Sequence, residues 1–291
     1  MTPATPATHH LPAPSIRFRF LAGLSILACA AAATAAETTL LDNDFEKKNP
    51  AATGWASWYT TNPATGTVAT EQVGDSTNAW LNITSTTSFR GVYHLLAPSA
   101  TLAEGDTLTL TFRLMFTATT SNVRFGLFRY AGGEQDTTNG TSDNGYFANV
   151  SSGGTTVSLA RDGDPSNDPC SGSTNTITPT TSATATTPFA ANTWYDVSFT
   201  LTVISKPGTG NTTMQVNVSI GDATATGTRT STATGNNFDF GMIYIGSGNN
   251  NARFAIDDVL VTTTATITAV PEPRTTTTLA ALAALGSAAL A

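Results

Sequence analysis

Charge is scarce in this chain. Charged residues make up 11% of it, and the formal net charge is −7. Phosphate backbones and anionic membrane surfaces are therefore poor partners, and no nucleic acid is expected. Histidine is scarcer still: of three, only His94 lies beyond the N-terminal leader described below. A histidine-clustered metal hydrolase is excluded on that count. His94 sits in GVYHLL with no serine or cysteine nucleophile motif beside it. Glutamate beyond the leader is confined to Glu37, Glu46, Glu71, Glu104, Glu134 and Glu272. None has a second carboxylate two residues away on a core strand except Glu46, at the chain's edge, and no E-x-D-x-E strand supplies the paired carboxylates that glycoside hydrolysis needs.

Cysteine is nearly absent. Cys29 belongs to the leader, which leaves Cys170 alone and excludes an internal disulfide. Cys170 lies in the polar stretch DPSNDPCSGSTN, where it reads as an incidental thiol or as one half of an intermolecular bridge. A fold without disulfides must be held by burial and sheet hydrogen bonds.

The leader has a positive start and an apolar middle. Arg17 and Arg19 precede FLAGLSILACAAAATAA, which ends in small residues and predicts signal-peptide cleavage near Ala36. The alternative is a lipoprotein with Cys29 lipidated, against which bulky Leu27 counts.

Long helical stripes are missing too. From Thr38 to about Ala265 the apolar pattern has period two almost throughout. DTLTLTFRLMF alternates Leu108, Leu110, Phe112 and Leu114 with Thr107, Thr109, Thr111 and Arg113. WYDVSFTLTVI and MQVNVSI repeat the device, and shorter runs such as AWLNITS, VRFGLFRYA and FGMIYIGS follow it. Alternation of this kind is what a half-buried antiparallel sheet requires. Gly, Asn, Asp and Pro clusters between the runs supply the turns. The expectation is all-β: a two-sheet antiparallel jelly-roll sandwich of roughly ten to thirteen strands. An N-terminal signal helix would precede it and a short C-terminal apolar helix follow. The domains are then a signal peptide over 1–36, one sandwich over 37–265 and a tail over 266–291. The polar stretch from Asp162 to Asn192 reads as a surface excursion, and Asp162, Asp164 and Asp168 within it as a polar turn.

LLDNDFEKKNPAATGW near the start and FAIDDVLVTT near the end resemble the terminal signatures of jelly-roll carbohydrate-binding modules of the family 4/9 type. GDTLTLTFRLMF and ANTWYDVSFTLTV are similar to core strands of that group and of concanavalin-A-like sandwiches. The resemblance implies a sugar-binding fold and a structural Ca²⁺ held by Glu46 and Asp257, with Asp44 and Asp258 as neighbours. Calcium takes six to eight oxygens, which carboxylates and main-chain carbonyls supply. The bland reading of Asp257-Asp258 is a solvated strand end.

GWASWYT is the densest aromatic patch. Exposed aromatic rings stack on the apolar C–H faces of sugars. With Trp55 directed to the core, alternation turns Trp58 outward, so Trp58 and Tyr59 are the candidate ligand platform. Trp80 and Trp194 lie in strong strand patterns and read as core.

The far end carries TATITAVPEPRTTTT followed by LAALAALGSAALA. Pro271 and Pro273 make a stiff extended joint. The apolar run is short for a membrane span of about twenty residues. Val270-Pro271-Glu272-Pro273 before a terminal apolar helix resembles the PEP-CTERM sorting signal, which implies an exosortase-type partner and transient membrane association through the helix. The chain departs from that signal by ending Ala289-Leu290-Ala291 rather than in a basic cluster.

Together these features predict an exported protein of the cell surface or extracellular space. Its expected role is non-catalytic: binding glycan, or acting within an extracellular polysaccharide matrix. A structural or adhesive protein with no small-molecule site is the alternative, and a glycan hydrolase is third.

Overall fold

The computed structural model describes residues 36–45, 54–57, 68–75, 78–86, 90–119, 121–130, 144–162, 170, 175–232, 237–248 and 252–267. The leader through residue 35, Glu46, Trp58, Tyr59, Asp164, Asp168 and the Val270–Pro273 motif lie outside the described residues.

Strict alternation in the sequence becomes strict alternation in burial. Along Thr107–Phe116 every second side chain is buried, from Leu108 through Leu110, Phe112 and Leu114 to Phe116. Successive side chains of a strand point to opposite faces, so one face of this strand is apolar and the other carries threonine and arginine. The same holds for Trp194–Ser205 and Asn211–Ile220.

Among the described residues, sixteen strands form two antiparallel sheets. Numbered in chain order, the nine-stranded sheet runs β11 (Pro179–Ala183), β14 (Ala223–Thr232), β13 (Asn211–Ile220), β12 (Trp194–Ser205), β6 (Thr107–Phe116), β16 (Ala252–Thr263), β4 (Asn78–Ser85), β3 (Val68–Asp75). Its ninth strand, β1 (Thr38–Asn43), pairs with the far half of β16, beyond the half that β4 occupies. The seven-stranded sheet runs β10 (Asn175–Ile177), β9 (Val157–Asp162), β8 (Gly145–Ser151), β7 (Asn122–Phe128), β15 (Asp239–Ser247), β5 (Gly91–Thr101), β2 (Trp55–Ser57).

The apolar faces of the two sheets meet in one core. Phe125 on β7 stands edge-on to Phe112 on β6 at 5.2 Å and to Phe199 on β12 at 6.2 Å, tying the layers together. Fully burying a side chain of this size contributes about 1.5–3 kcal/mol. The sandwich can therefore dispense with a disulfide.

Several expectations need correction. There are more strands than expected, because β3, β10, β11 and β14 carry little apolar alternation. The inward positions of β14 include Ala223, Ala225 and Gly227, too small to register as a hydrophobic face. The stretch from Asp162 to Asn192 is also no mere surface excursion. It contributes β10 and β11 to different sheets and buries Ile177, Ala185 and Phe189 in the core. Asp162 ends β9 as a buried residue rather than lying in a polar turn.

Cys170 is likewise no surface thiol. It is fully buried in a second apolar cluster with Tyr93, Phe128, Phe147, Met242 and Tyr244. These side chains occupy the side of the seven-stranded sheet away from the main core. Arg124 donates to the Cys170 carbonyl and sets its guanidinium 5.5 Å from the Phe147 ring.

Candidate functional site

The terminal strands pair as the sequence edges suggest. β1 runs antiparallel to β16, and Asn43 lies opposite Val259. Asp44 and Asp258 therefore come from opposite ends of the described chain to one place in the sheet. Asp258 adopts a φ of 50° within the irregularity that separates Asp257 and Leu260 in the β16–β6 register.

Asp257 is committed to other partners. Its Oδ2 accepts from Arg113 Nη1 at 3.3 Å, and its Oδ1 accepts from the Asp258 N–H at 2.9 Å. Asp258 Oδ2 stands 3.8 Å from the same Arg113 nitrogen. Among the described residues no group of three or more His, Cys, Asp or Glu side chains is placed to hold a metal ion. Glu46, the other half of the expected pair, lies outside the described residues.

Trp55 packs where expected, tilted against Phe45 at 6.1 Å and edge-on to His94 at 5.5 Å, half-buried against the main core. Glycine must precede it. Gly54 has a φ of 73°, and a Cβ there would stand 2.5 Å from His94 Nε2.

Trp80 and Trp194 do not lie in the core. In β4 the buried positions are Ala79, Leu81 and Ile83, so Trp80 and Asn82 face outward. In β12 the fully inward run is Val197, Phe199, Leu201 and Val203, which turns Trp194, Asp196 and Ser198 outward. Both indoles are half-buried on the outer face of the nine-stranded sheet. β16 and β6 separate their strands, a span of about 14 Å at the usual strand spacing. Their ring centroids nevertheless lie 6.1 Å apart, at an interplanar angle of 80°. Both side chains therefore lean inward over the two central strands. Ala255, in register with Asn82 and Met115 on this outer face, is fully buried.

The outer face is organised in rungs. The first joins Asn82, Ala255, Met115 and Trp194. The second places Arg113 between Asp257 and Asp196. The third aligns Thr111, Ser198 and Ser219, a row of hydroxyls. Arg113 links the first two: its guanidinium carbon sits 4.8 Å from the Trp194 ring centre. Trp80 Nε1 donates to Asn82 Oδ1 at 3.2 Å, which orients that ring. An open groove of about 420 Å³ lies over the second and third rungs, lined by Thr111, Arg113, Asp196, Ser198, Ser219 and Asp258 among others. One wall ends at the two-residue turn between β13 and β14, where Gly221 takes a φ of 56°. Glycine suits the first position of such a hairpin turn. Threonine continues the polar face beyond the groove, with Thr109 Oγ1 and Thr200 Oγ1 3.2 Å apart.

An aromatic pair beside a groove of hydroxyls and carboxylates can bind a ligand that is part apolar and part polar. The signal for this site was present in the alternation of β4 and β12, whose inward residues assign both tryptophans to the other face.

No family model matches the chain, and no curated protein matches it. Solved structures similar to it include the carbohydrate-binding module CBM66 from Bacillus subtilis, at 14% identity over 71% of this chain and 93% of that one, with a TM-score of 0.39. Peanut lectin is 15% identical over 80% of this chain and all of its own (100%), with a TM-score of 0.43. The globular domain of T. cruzi calreticulin is 8% identical over 77% and 87%, with a TM-score of 0.44. Likeness at this level carries no function from those proteins to this chain.

Proposed function

We propose that this protein is a non-catalytic glycan-binding module, exported and sorted to the cell surface, that works within an extracellular polysaccharide matrix. The observation that carries the reading is the half-exposed Trp80–Trp194 pair beside a hydroxyl-lined groove on the outer sheet face. Sugar rings combine apolar C–H faces with a belt of hydroxyls. Indoles suit the former, and the Thr111–Ser198–Ser219 rung with Asp196 suits the latter. Every one of these side chains stands on a hydrogen-bonded strand, so little ordering is left to binding. The resemblance of the chain's edges to jelly-roll carbohydrate-binding modules points the same way.

Export and sorting rest on the sequence alone. The leader ending near Ala36 directs secretion, and the sandwich is one domain over 37–265. Pro271-Glu272-Pro273 and the apolar run after it address the chain to an exosortase-type enzyme, with transient membrane association before processing.

A glycan array with wild type and Trp194→Ala tests the binding reading: wild type retains a subset of glycans and the variant releases them. Loss of no signal in the variant, or no signal in either, refutes it. Replacing Pro271, Glu272 and Pro273 with alanines tests sorting, and an unchanged surface location refutes that part.

A further inference from the structure

The charges of the outer-face groove point to a class of glycan, an inference that rests on the reading of this face as a glycan site. Arg113 is the guanidinium of the groove, and it is already engaged. It pairs with Asp257 at 3.3 Å, stands 3.8 Å from Asp258 and lies 4.8 Å from the Trp194 ring centre. Asp257 is nearly closed to solvent, with 6% of its side chain exposed, whereas Asp258 is 57% exposed. Asp196, cross-strand from Arg113 on the other side, is exposed at the groove wall. One guanidinium thus faces three carboxylates, two of which are open to a ligand. Arg253 on the same face stands two residues beyond Ala255, on the side of the first rung away from the groove, and Glu71 lies beside Asn82.

A negative rim of this kind repels uronate sugars and attracts cationic ones. The two open carboxylates flank the position where a sugar stacked on the indoles would extend its substituents over the second rung. We propose that this groove selects glycans bearing free amino groups, glucosamine-type polymers, over neutral or uronic-acid polymers of the same length. Each exposed ion pair contributes modestly, so two of them correspond to a preference of roughly threefold to tenfold. The preference shrinks as salt rises, because exposed charges are screened over about 8 Å at physiological ionic strength.

The test measures binding of the full chain to three oligosaccharides of equal length: a glucosamine oligomer, its N-acetylated counterpart and an oligogalacturonate. Mildly acidic buffer keeps the sugar amines charged, and each titration is run at low and high salt. The expected order is amino, then N-acetylated, then uronate, with the amino advantage reduced at high salt. In the double variant Asp196→Asn/Asp258→Asn the affinities for the amino and N-acetylated oligomers should converge, whatever the change in either alone. Equal binding of the amino and N-acetylated forms overturns the inference, as does uronate preference or an amino preference that survives the double variant. If Trp80→Ala and Trp194→Ala leave all three affinities unchanged, the site itself is misplaced and the glycan reading of this face fails. If wild type binds none of the three, the inference falls, while retention of another glycan on the array leaves the glycan reading of this face standing.

Discussion

Trp80 and Trp194, 114 positions apart by their numbers in the chain, meet edge to face at 6.1 Å on the outer surface of the nine-stranded sheet. Their meeting depends on a register that brings β4, β16, β6 and β12 side by side. Two large apolar rings half-buried on the outer face of the sheet have a modest role in stability, and in the proposed function they are the surface a sugar ring stacks on.

Truncating either indole should therefore cost little in folding. Trp194→Ala removes the stacking on Arg113 and part of a half-buried ring, about 1–2 kcal/mol. Phe199→Ala opens a cavity between the sheets and should cost about 3–5 kcal/mol. Urea denaturation of the two variants checks the order, and equal losses would mean that Trp194 is a core residue after all.

Asp257 should behave as an ion-pair partner rather than a calcium ligand. Asp257→Ala leaves Arg113 without its nearer carboxylate and the Asp258 amide without an acceptor, at a cost of about 1–3 kcal/mol. Thermal melts of wild type with calcium and with chelator should superimpose. A midpoint that rises with calcium would show that Asp257 joins a shell completed by residues such as Glu46.

Much of this architecture was legible in the sequence, and the exceptions share a cause. β6, β12 and β13 announce themselves because Leu, Phe, Val and Met alternate with Thr, Ser and Asn. β14 stays hidden because its inward positions are Ala223, Ala225, Gly227 and then Arg229, none of which marks a hydrophobic face. Trp80 and Trp194 look like core residues by hydrophobicity, but parity decides otherwise: Leu81 and Val197 fix which face is inward. The Arg113–Asp257 pair is a different case. It joins positions 144 residues apart, and nothing local in either strand encodes the register that brings them together.

Tyr146 makes the fold sensitive to alkali. Its hydroxyl is buried, which pushes its pKa from 10.0 up to about 12, with Arg161 and the Asn237 backbone offsetting part of the shift. Burial favours the neutral phenol in the folded state. Its contribution is complete below pH 10.0 and disappears as pH rises through about 12. A shift of this size corresponds to about 2–3 kcal/mol. Denaturation midpoints measured across that range should fall with pH in wild type and fall less in Tyr146→Phe. Parallel curves would contradict the assignment.

Cys170 should be inert to thiol reagents in the native state. It is fully buried against Phe147 and Tyr244, and reaction requires a reagent to reach the thiolate. With Cys29 replaced by serine, labelling should be slow in buffer and rapid in denaturant. Fast native labelling, or a reducible dimer, would contradict its place in the second apolar cluster.

The central claim is that the outer face of the nine-stranded sheet binds glycan. Calorimetric titration of one retained polysaccharide into wild type and into the Trp80→Ala/Trp194→Ala double variant tests it most directly. The account predicts that the variant stays folded and loses at least tenfold in affinity, about 1.4 kcal/mol or more. Equal affinity in a folded variant would place the binding surface elsewhere on the molecule.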